Sequence, residues 1–144
     1  MVEQVQKVRD IMTTDLVTIG MDETLEAAKA VFHERRFHHL IVTDGAKPVG
    51  VISDRDLLKN LSPFLGTPMA ERAQDAETLK KRIHQFMTRK LVSVEPDAPV
   101  TEAARAMIHH NVSCLPVIEG GTKLVGIVTR HDLVRWVVLD SLRG

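Results

Sequence analysis

The sequence predicts an α/β fold made of two copies of one strand–helix–strand–strand–helix pattern. The first observation is an internal repeat. Met12-Thr13 matches Met87-Thr88 at an offset of 75 residues, and Asp56-Leu57 matches Asp132-Leu133 at an offset of 76, which one inserted residue explains. The second observation is that β-branched runs alternate with stretches of helical spacing in both copies. A shared register over such a length indicates a duplication, so we expect a tandem pair related by approximate two-fold symmetry.

Each copy opens with a short apolar strand and continues into an amphipathic helix. The β-branched residues of 16–19 and 91–94 predict the two strands. Apolar residues at helical spacing predict the first helix over 24–36. The same spacing predicts its counterpart over 99–110, with Pro99 in the first turn, where a missing N–H costs nothing.

A hairpin and a last helix complete each copy. The hairpin strands are predicted at 39–44 and 48–53, and at 114–119 and 123–129. Asp44-Gly45 and Glu119-Gly120-Gly121 supply the turns between them. We expect the last helices to begin near Asp54 and Arg130.

The domain boundaries follow from the repeat. We expect repeat 1 at 8–59, a linker with a capping segment at 60–82, and repeat 2 at 83–140. Pro63, Gly66 and Pro68 interrupt the linker. Its second half, residues 70–82, is polar and compatible with a helix. About sixty residues with a half-covered sheet are marginal alone, so we expect the copies to pack against each other.

Composition excludes several classes of protein. Hydrophobic residues make up 44% of the chain and charged residues 26%, which argues against disorder. Lysine plus arginine equals aspartate plus glutamate at 19 each, which argues against a nucleic-acid binder. No apolar stretch is long enough to span a bilayer, and the first residues lack the apolar run of a secretion signal. With a single cysteine, Cys114, we expect a soluble cytoplasmic protein.

The closing motif of each copy is a glycine, two apolar residues, Ser or Thr, two variable residues and Asp. It occurs as Gly50-Val51-Ile52-Ser53-Asp54-Arg55-Asp56 and as Gly126-Ile127-Val128-Thr129-Arg130-His131-Asp132. With the Met-Thr lead-ins and the strand Leu115-Pro116-Val117, this motif resembles that of the paired CBS domain, or Bateman module, over nearly the whole chain. The resemblance implies the tandem fold and adenosyl ligands such as AMP or ATP in clefts between the copies.

One departure is Ile41, which stands where the family has proline and puts in doubt the shape of that wall of the first cleft.

The motif residues also suggest a nucleotide by their chemistry. Ser53 and Thr129 stand where a strand runs into a helix, so their hydroxyls and nearby backbone N–H groups can attract phosphate. Asp56 and Asp132 follow three residues later, where a carboxylate can accept hydrogen bonds from a ribose diol. The intervening Arg55, Arg130 and His131 can neutralise phosphate charge. The alternative is a helix capping box, which uses the same spacing, although its acidic residue is usually Glu rather than Asp.

Three further groups complete the predicted site. His38 and His39 precede the middle strand and are candidates for phosphate contact, or simply polar surface residues; phosphate contact would tighten binding as the pH falls toward about 6. Asp54 beside the first motif would repel a phosphate unless it points to solvent. By resemblance, Val17, Thr18, Val92 and Ser93 edge the adenine pocket, whereas the alternative for the two valines is the core.

The same residues argue against catalysis. Seven histidines include only adjacent pairs without the tight spacing of a metal site, so we expect no metal beyond Mg²⁺ arriving with a triphosphate. Cys114 has no local base, and no Walker loop or Gly-x-Ser-x-Gly elbow is present. We therefore expect a regulatory, energy-sensing module that is not an enzyme and signals in trans to an unknown effector. The apolar last helix, with Trp136, favours a homodimer, as such modules often form; the rival reading is a ligand-free assembly module.

Overall fold

A computed structural model of the chain describes residues 6–35, 38–60, 77–89 and 91–143, which form two compact units. One unit is continuous and contains residues 17–90, whereas the other combines residues 1–16 with residues 91–144. Each unit therefore contains the sheet and helices of one repeat together with the Met-Thr lead-in of the other repeat. Residues 61–76 of the predicted linker, with Pro63, Gly66 and Pro68, lie outside the described residues.

The continuous unit is built on a three-stranded sheet. Its elements are β1 (Thr18–Gly20), α2 (Leu25–Arg35), β2 (His39–Asp44), β3 (Lys47–Ser53), α3 (Asp54–Asn60) and a 3₁₀ turn at Ile83–Gln85. β1 pairs parallel with β2, and β2 pairs antiparallel with β3. The helices cover an aliphatic core whose buried residues include Ile19, Leu25, Phe32, Leu40, Val42, Ile52, Ile83 and Met87.

The discontinuous unit repeats this plan. Its elements are α1 (Val8–Ile11), α4 (Val100–His110), β4 (Cys114–Glu119), β5 (Lys123–Thr129) and α5 (Arg130–Arg143). β4 and β5 pair antiparallel, and the core is again aliphatic, with Val8, Val94, Ala103, Met107, Leu115, Val117 and Val128 buried. The hairpins and both last-helix starts confirm the sequence prediction to within one residue. Gly45, Gly120 and Gly121 adopt positive φ in the hairpin turns, which explains the glycines there.

The opening strands differ from the prediction. The first covers residues 18–20 rather than 16–19, and the predicted strand at 91–94 is reduced to a single parallel bridge between Val94 and Val117. In repeat 1 the Met21 N–H donates to the Thr43 carbonyl and extends the pairing (2.8 Å). The position matching Met21 in repeat 2 is Pro96, and Pro116 stands on the partner strand, so two backbone donors are missing.

The first helices are close to the prediction. α2 runs from Leu25, with the Thr24 hydroxyl accepting a hydrogen bond from the Ala27 N–H (3.2 Å). α4 begins at Val100, so Pro99 is its N-cap residue rather than its first helical residue, and its extended ψ of 148° places it just outside the helix. Asn111 ends α4 in the left-handed conformation that commonly terminates helices.

The two motif glycines are explained by the exchanged lead-ins. Thr13 exchanges two backbone hydrogen bonds with Ile127 (2.8 and 3.0 Å), and Thr88 exchanges two with Val51 (2.9 and 3.1 Å). A Cβ on Gly126 would lie 2.6 Å from the Met12 sulfur, and one on Gly50 would lie 2.6 Å from the Thr88 carbonyl oxygen. The lead-ins can lie this close to β5 and β3 only because those positions carry no side chain.

Capping boxes start α3 and α5. The Ser53 N–H donates to Asp56 Oδ2 (3.1 Å), and the Asp56 N–H donates back to the Ser53 hydroxyl (3.0 Å). Thr129 and Asp132 make the same reciprocal pair at 2.9 and 3.3 Å. The capping box that the Ser/Thr–Asp spacing offered as an alternative is therefore present in both repeats, and it satisfies backbone donors that a helix start otherwise leaves unpaired.

Substituting the glycines tests the close approach. We expect Gly50→Ala to lower the free energy of unfolding by about 1–3 kcal/mol, because the new methyl group meets backbone that cannot move aside cheaply. Gly126→Ala should cost less, since its nearest neighbour is the flexible Met12 side chain and the closest backbone atom, the Thr13 carbonyl oxygen, lies 3.1 Å away. Gly20→Ala is the control, with its nearest neighbour at an ordinary 3.6 Å. Urea unfolding measures all three, and equal stability of Gly50→Ala and Gly20→Ala would contradict the explanation.

The two caps should differ in strength. Asp132 is 3% exposed, whereas Asp56 is half-buried. Replacing Asp132 by alanine leaves more buried donors without an acceptor, so we expect Asp132→Ala to cost about 2 kcal/mol or more and Asp56→Ala about 1 kcal/mol. Urea unfolding measures both variants, with Asp44→Ala at an exposed carboxylate as the control. A larger loss for Asp56→Ala than for Asp132→Ala would refute this ranking.

Candidate functional site

The Asp132 carboxylate is the buried charged group at the centre of the second motif. Its Oδ2 accepts hydrogen bonds from the Thr129 N–H (2.9 Å) and the Thr129 hydroxyl (3.1 Å). The Thr13 hydroxyl donates to Oδ1 and Oδ2 at 3.3 and 3.4 Å, and the Arg135 guanidinium donates to Oδ1 at 2.9 Å. A carboxylate has about four lone-pair sites, so these four donors fill its acceptor capacity.

The first motif has the same construction in a more open setting. Ser53 and Asp56 are both half-buried and form the reciprocal cap already described. The two repeats thus place a hydroxyl, a carboxylate and a helix N-terminus together in the same way. This combination can present acceptors to a diol and backbone donors to an oxygen ligand.

Strand pairing brings the predicted residues of repeat 1 to one edge of the sheet. His39 pairs with Ser53, and Thr18 pairs with Ile41, two residues further along β2. Val17 and Thr18 therefore lie at the same end of the sheet as the motif. Val17 is half-buried and packs against the core, as the core alternative predicts for it, while Thr18 is exposed.

Repeat 2 has the corresponding arrangement. Cys114 pairs with Thr129, and Val94 pairs with Val117, so Val92 and Ser93 lead into the sheet from the Thr129 end. Val92 is half-buried against the core and Ser93 is exposed. The motif and its predicted neighbours thus share one edge in each unit.

The candidate phosphate-binding residues differ in their partners and in their exposure to solvent. His38 Nδ1 lies 2.8 Å from Asp54 Oδ2, and the Asp54 N–H donates to the His38 carbonyl (2.9 Å). The acid expected to repel phosphate therefore lies against the histidine expected to attract it. His39 is half-buried, whereas Arg55, Arg130 and His131 are exposed near the helix starts.

Sequence reasoning missed Thr13 and Arg135. Thr13 belongs to the repeated Met-Thr lead-in, which was used to align the copies and to identify the family resemblance but not as part of the site. Arg135 lies three residues after Asp132 on α5, and this spacing places side chains side by side on a helix. That spacing was a usable signal for Arg135, whereas the Thr13 contact joins residues 119 positions apart and had none.

The described residues bear on three other features: a reactive cysteine, a metal site and a membrane-spanning helix. Burial raises the pKa of the Cys114 thiol to about 12, so almost no nucleophilic thiolate forms at neutral pH. Across residues 6–35, 38–60, 77–89 and 91–143, no group of three or more His, Cys, Asp or Glu residues is placed to hold a metal ion. None of the helices in those same ranges has the length and apolar character needed to cross a membrane.

Two solved structures resemble this chain along nearly their whole length. The CBS domain pair of protein MJ0100, in complex with 5′-methylthioadenosine and S-adenosyl-L-methionine, superposes with a TM-score of 0.78 at 27% identity, covering 95% of this chain and 99% of that one. CBSX2 in complex with AMP superposes with a TM-score of 0.75 at 28% identity, covering 94% and 98%.

Sequence comparison agrees with the structural likeness. A CBS domain-containing protein of Dictyostelium discoideum is 37% identical over 132 residues, which cover 88% of each chain. Some relatives are longer enzymes: a homoserine O-acetyltransferase of Methanohalobium evestigatum is 30% identical, and the match spans 24% of its length. The CBS domain family model matches residues 8–63 and 83–139. The chain therefore belongs to the CBS domain family, as a tandem pair of repeats.

Proposed function

We propose that this chain is a regulatory module that binds an adenosyl ligand, such as AMP, ATP or a related compound, at the Ser/Thr–Asp motifs of its repeats. The observation that carries the proposal is the duplicated pairing of a hydroxyl and a carboxylate at the starts of α3 and α5. Two similar domain pairs are solved with 5′-methylthioadenosine and S-adenosyl-L-methionine, and with AMP. These ligands share a ribose diol, whose two hydroxyls can donate hydrogen bonds to the carboxylates of Asp56 and Asp132.

Capping and ligand binding are compatible roles for the same carboxylates. In the structure each carboxylate accepts a hydrogen bond from the backbone N–H of the Ser or Thr that precedes its helix. A ribose diol supplies two hydroxyl donors, which can replace the side-chain donors around the carboxylate while the backbone N–H stays bound. The predicted clefts between the repeats, the role of Mg²⁺ with a triphosphate and a cytoplasmic location belong to this proposal.

Regulation requires an output outside the domain pair. A ligand shifts an equilibrium only by its difference in affinity for two states, so occupancy must favour one arrangement of the chain or of its assembly. We infer that this arrangement is read in trans by an effector protein. The competing proposal is a ligand-free assembly module, and the apolar surface of α5 is the observation in its favour.

Calorimetry with single-motif variants tests the ligand proposal. We expect at least one of AMP, ATP, 5′-methylthioadenosine and S-adenosylmethionine to bind the full chain. Hydrogen bonds to a charged group contribute about 1.5–3 kcal/mol, so Asp132→Asn and Asp56→Asn should each weaken their own site about tenfold or more. Asp44→Asn, an exposed carboxylate away from the motifs, is the matched control.

Two results would count against this proposal. Unchanged affinity in both motif variants would move the ligand elsewhere on the chain. Absence of heat with every adenosyl compound would favour the assembly module.

The exposed face of α5 generates a prediction about assembly. Val134 is 61% exposed and Leu142 is 79% exposed on a helix that also exposes Val137, Val138 and Leu139. Apolar patches of this kind are typical of protein interfaces, so we propose a homodimer with twice the 16.1 kDa chain mass. Light scattering after gel filtration should show the dimer in wild type and a monomer in Val134→Glu/Leu142→Glu. Thr101→Glu on the exposed face of α4 is the control, and a monomeric wild type would refute the dimer.

A further inference from the structure

A cavity of about 280 Å³ opens beside the Asp132 carboxylate in the discontinuous unit. Its walls come from the N-terminal segment around α1 and from the first three turns of α5. Two residues of these walls, Gln6 and Trp136, carry a buried amide oxygen and a buried indole N–H without a hydrogen-bond partner in the described chain. Buried polar atoms of this kind usually have a partner, so the cavity has the character of a site that holds a ligand or ordered water.

The charged groups of the cavity are predominantly acidic. Among the described residues that line it, Asp10, Asp132 and Asp140 are carboxylates and Arg135 is the one cation. Arg135 is already bonded to Asp132, whereas neither Asp10 nor Asp140 forms an ion pair with a described residue. The exposed Arg130 and His131, which sequence analysis assigned to phosphate, do not line this cavity.

A ribose at Asp132 would leave this acidic character in place. Because four donors fill the carboxylate, a diol must displace the weaker side-chain donors, namely the long Thr13 contact and the 55% exposed Arg135. A ribose on Asp132 leaves the charge of that carboxylate unchanged, so the described wall carries the carboxylates of Asp10, Asp132 and Asp140 against the guanidinium of Arg135. A 5′-phosphate directed toward this wall would enter a field of its own sign, whereas a thioether is neutral and a sulfonium is attracted.

We propose that the site at Asp132 selects adenosyl ligands whose 5′ group is uncharged or cationic over adenosine 5′-phosphates, an inference that rests on the proposed function. The chemical class is an adenosyl thioether or sulfonium. The ligands held by the similar MJ0100 domain pair belong to this class. Charge repulsion in a partly solvated wall supports a preference of about tenfold over AMP.

The experiment isolates the second motif and then changes the wall charge. In the Asp56→Asn background, calorimetry at low salt compares 5′-methylthioadenosine, S-adenosylmethionine and AMP. We expect the first two to bind about tenfold more tightly than AMP. Asp10→Asn/Asp140→Asn should reduce that ratio at least threefold, and Asp140→Asn alone should reduce it in part without touching α1. Glu102→Gln, an exposed acid on α4 that does not line the cavity, should leave the ratio unchanged.

Salt and ligand order separate the possible outcomes. In wild type, half-molar NaCl should reduce the ratio by which 5′-methylthioadenosine and S-adenosylmethionine bind more tightly than AMP, because salt screens interactions between accessible charges. AMP binding as tightly as the thioether, or a ratio unaffected by the wall variants, would overturn the selectivity while leaving the proposed function intact. Binding by wild type but not by the Asp56→Asn chain would place the ligand at the first motif and also overturn the selectivity at Asp132. No binding by wild type of these three ligands or of ATP would instead remove the proposed function itself.

Discussion

The close approach of each Met-Thr lead-in to a motif glycine is the constraint on which both units depend. Thr13 and Thr88 add a backbone-paired segment to β5 and β3, and no side chain larger than hydrogen fits beneath them. The glycine and the lead-in are therefore two parts of one contact, even though they belong to different repeats. This explains why the sequence repeats both features in register. It also places the Thr13 hydroxyl against Asp132, so that the packing contact and the candidate site share a residue.

The motif aspartates show how one group can serve stability and recognition. They cap α3 and α5, and at Asp132 the carboxylate also accepts hydrogen bonds from Thr13 and Arg135. A buried carboxylate requires such partners, because an unpaired charge away from water is costly. The side-chain donors that stabilise the buried Asp132 carboxylate therefore compete with any ribose hydroxyl that binds there. Affinity at this motif is a difference between two sets of hydrogen bonds rather than the strength of one.

Much of the fold was accessible from the sequence because its signals are local. The hairpin bounds followed from β-branched runs and turn glycines, and the helix starts followed from Ser53 and Thr129. The shortened opening strand of repeat 2 was missed, because Pro116 was used only as part of the motif strand and the backbone donors that Pro96 and Pro116 lack were not considered. The partners of Asp132 could be anticipated only in part. Arg135 is a helical neighbour, whereas Thr13 and the cavity beside α1 depend on tertiary packing.

The exchanged lead-ins also fix an order of events during synthesis. Residues 17–90 form a continuous unit, so its internal contacts join residues that are synthesised before position 91. The other unit needs Thr13 beside Ile127, and that pairing has to wait until Ile127 has been synthesised. Contacts between such distant residues form slowly because a long loop must close first. The Met12-Thr13 segment is therefore synthesised long before β5, the strand with which it pairs, and this contact is among the last that the discontinuous unit can form.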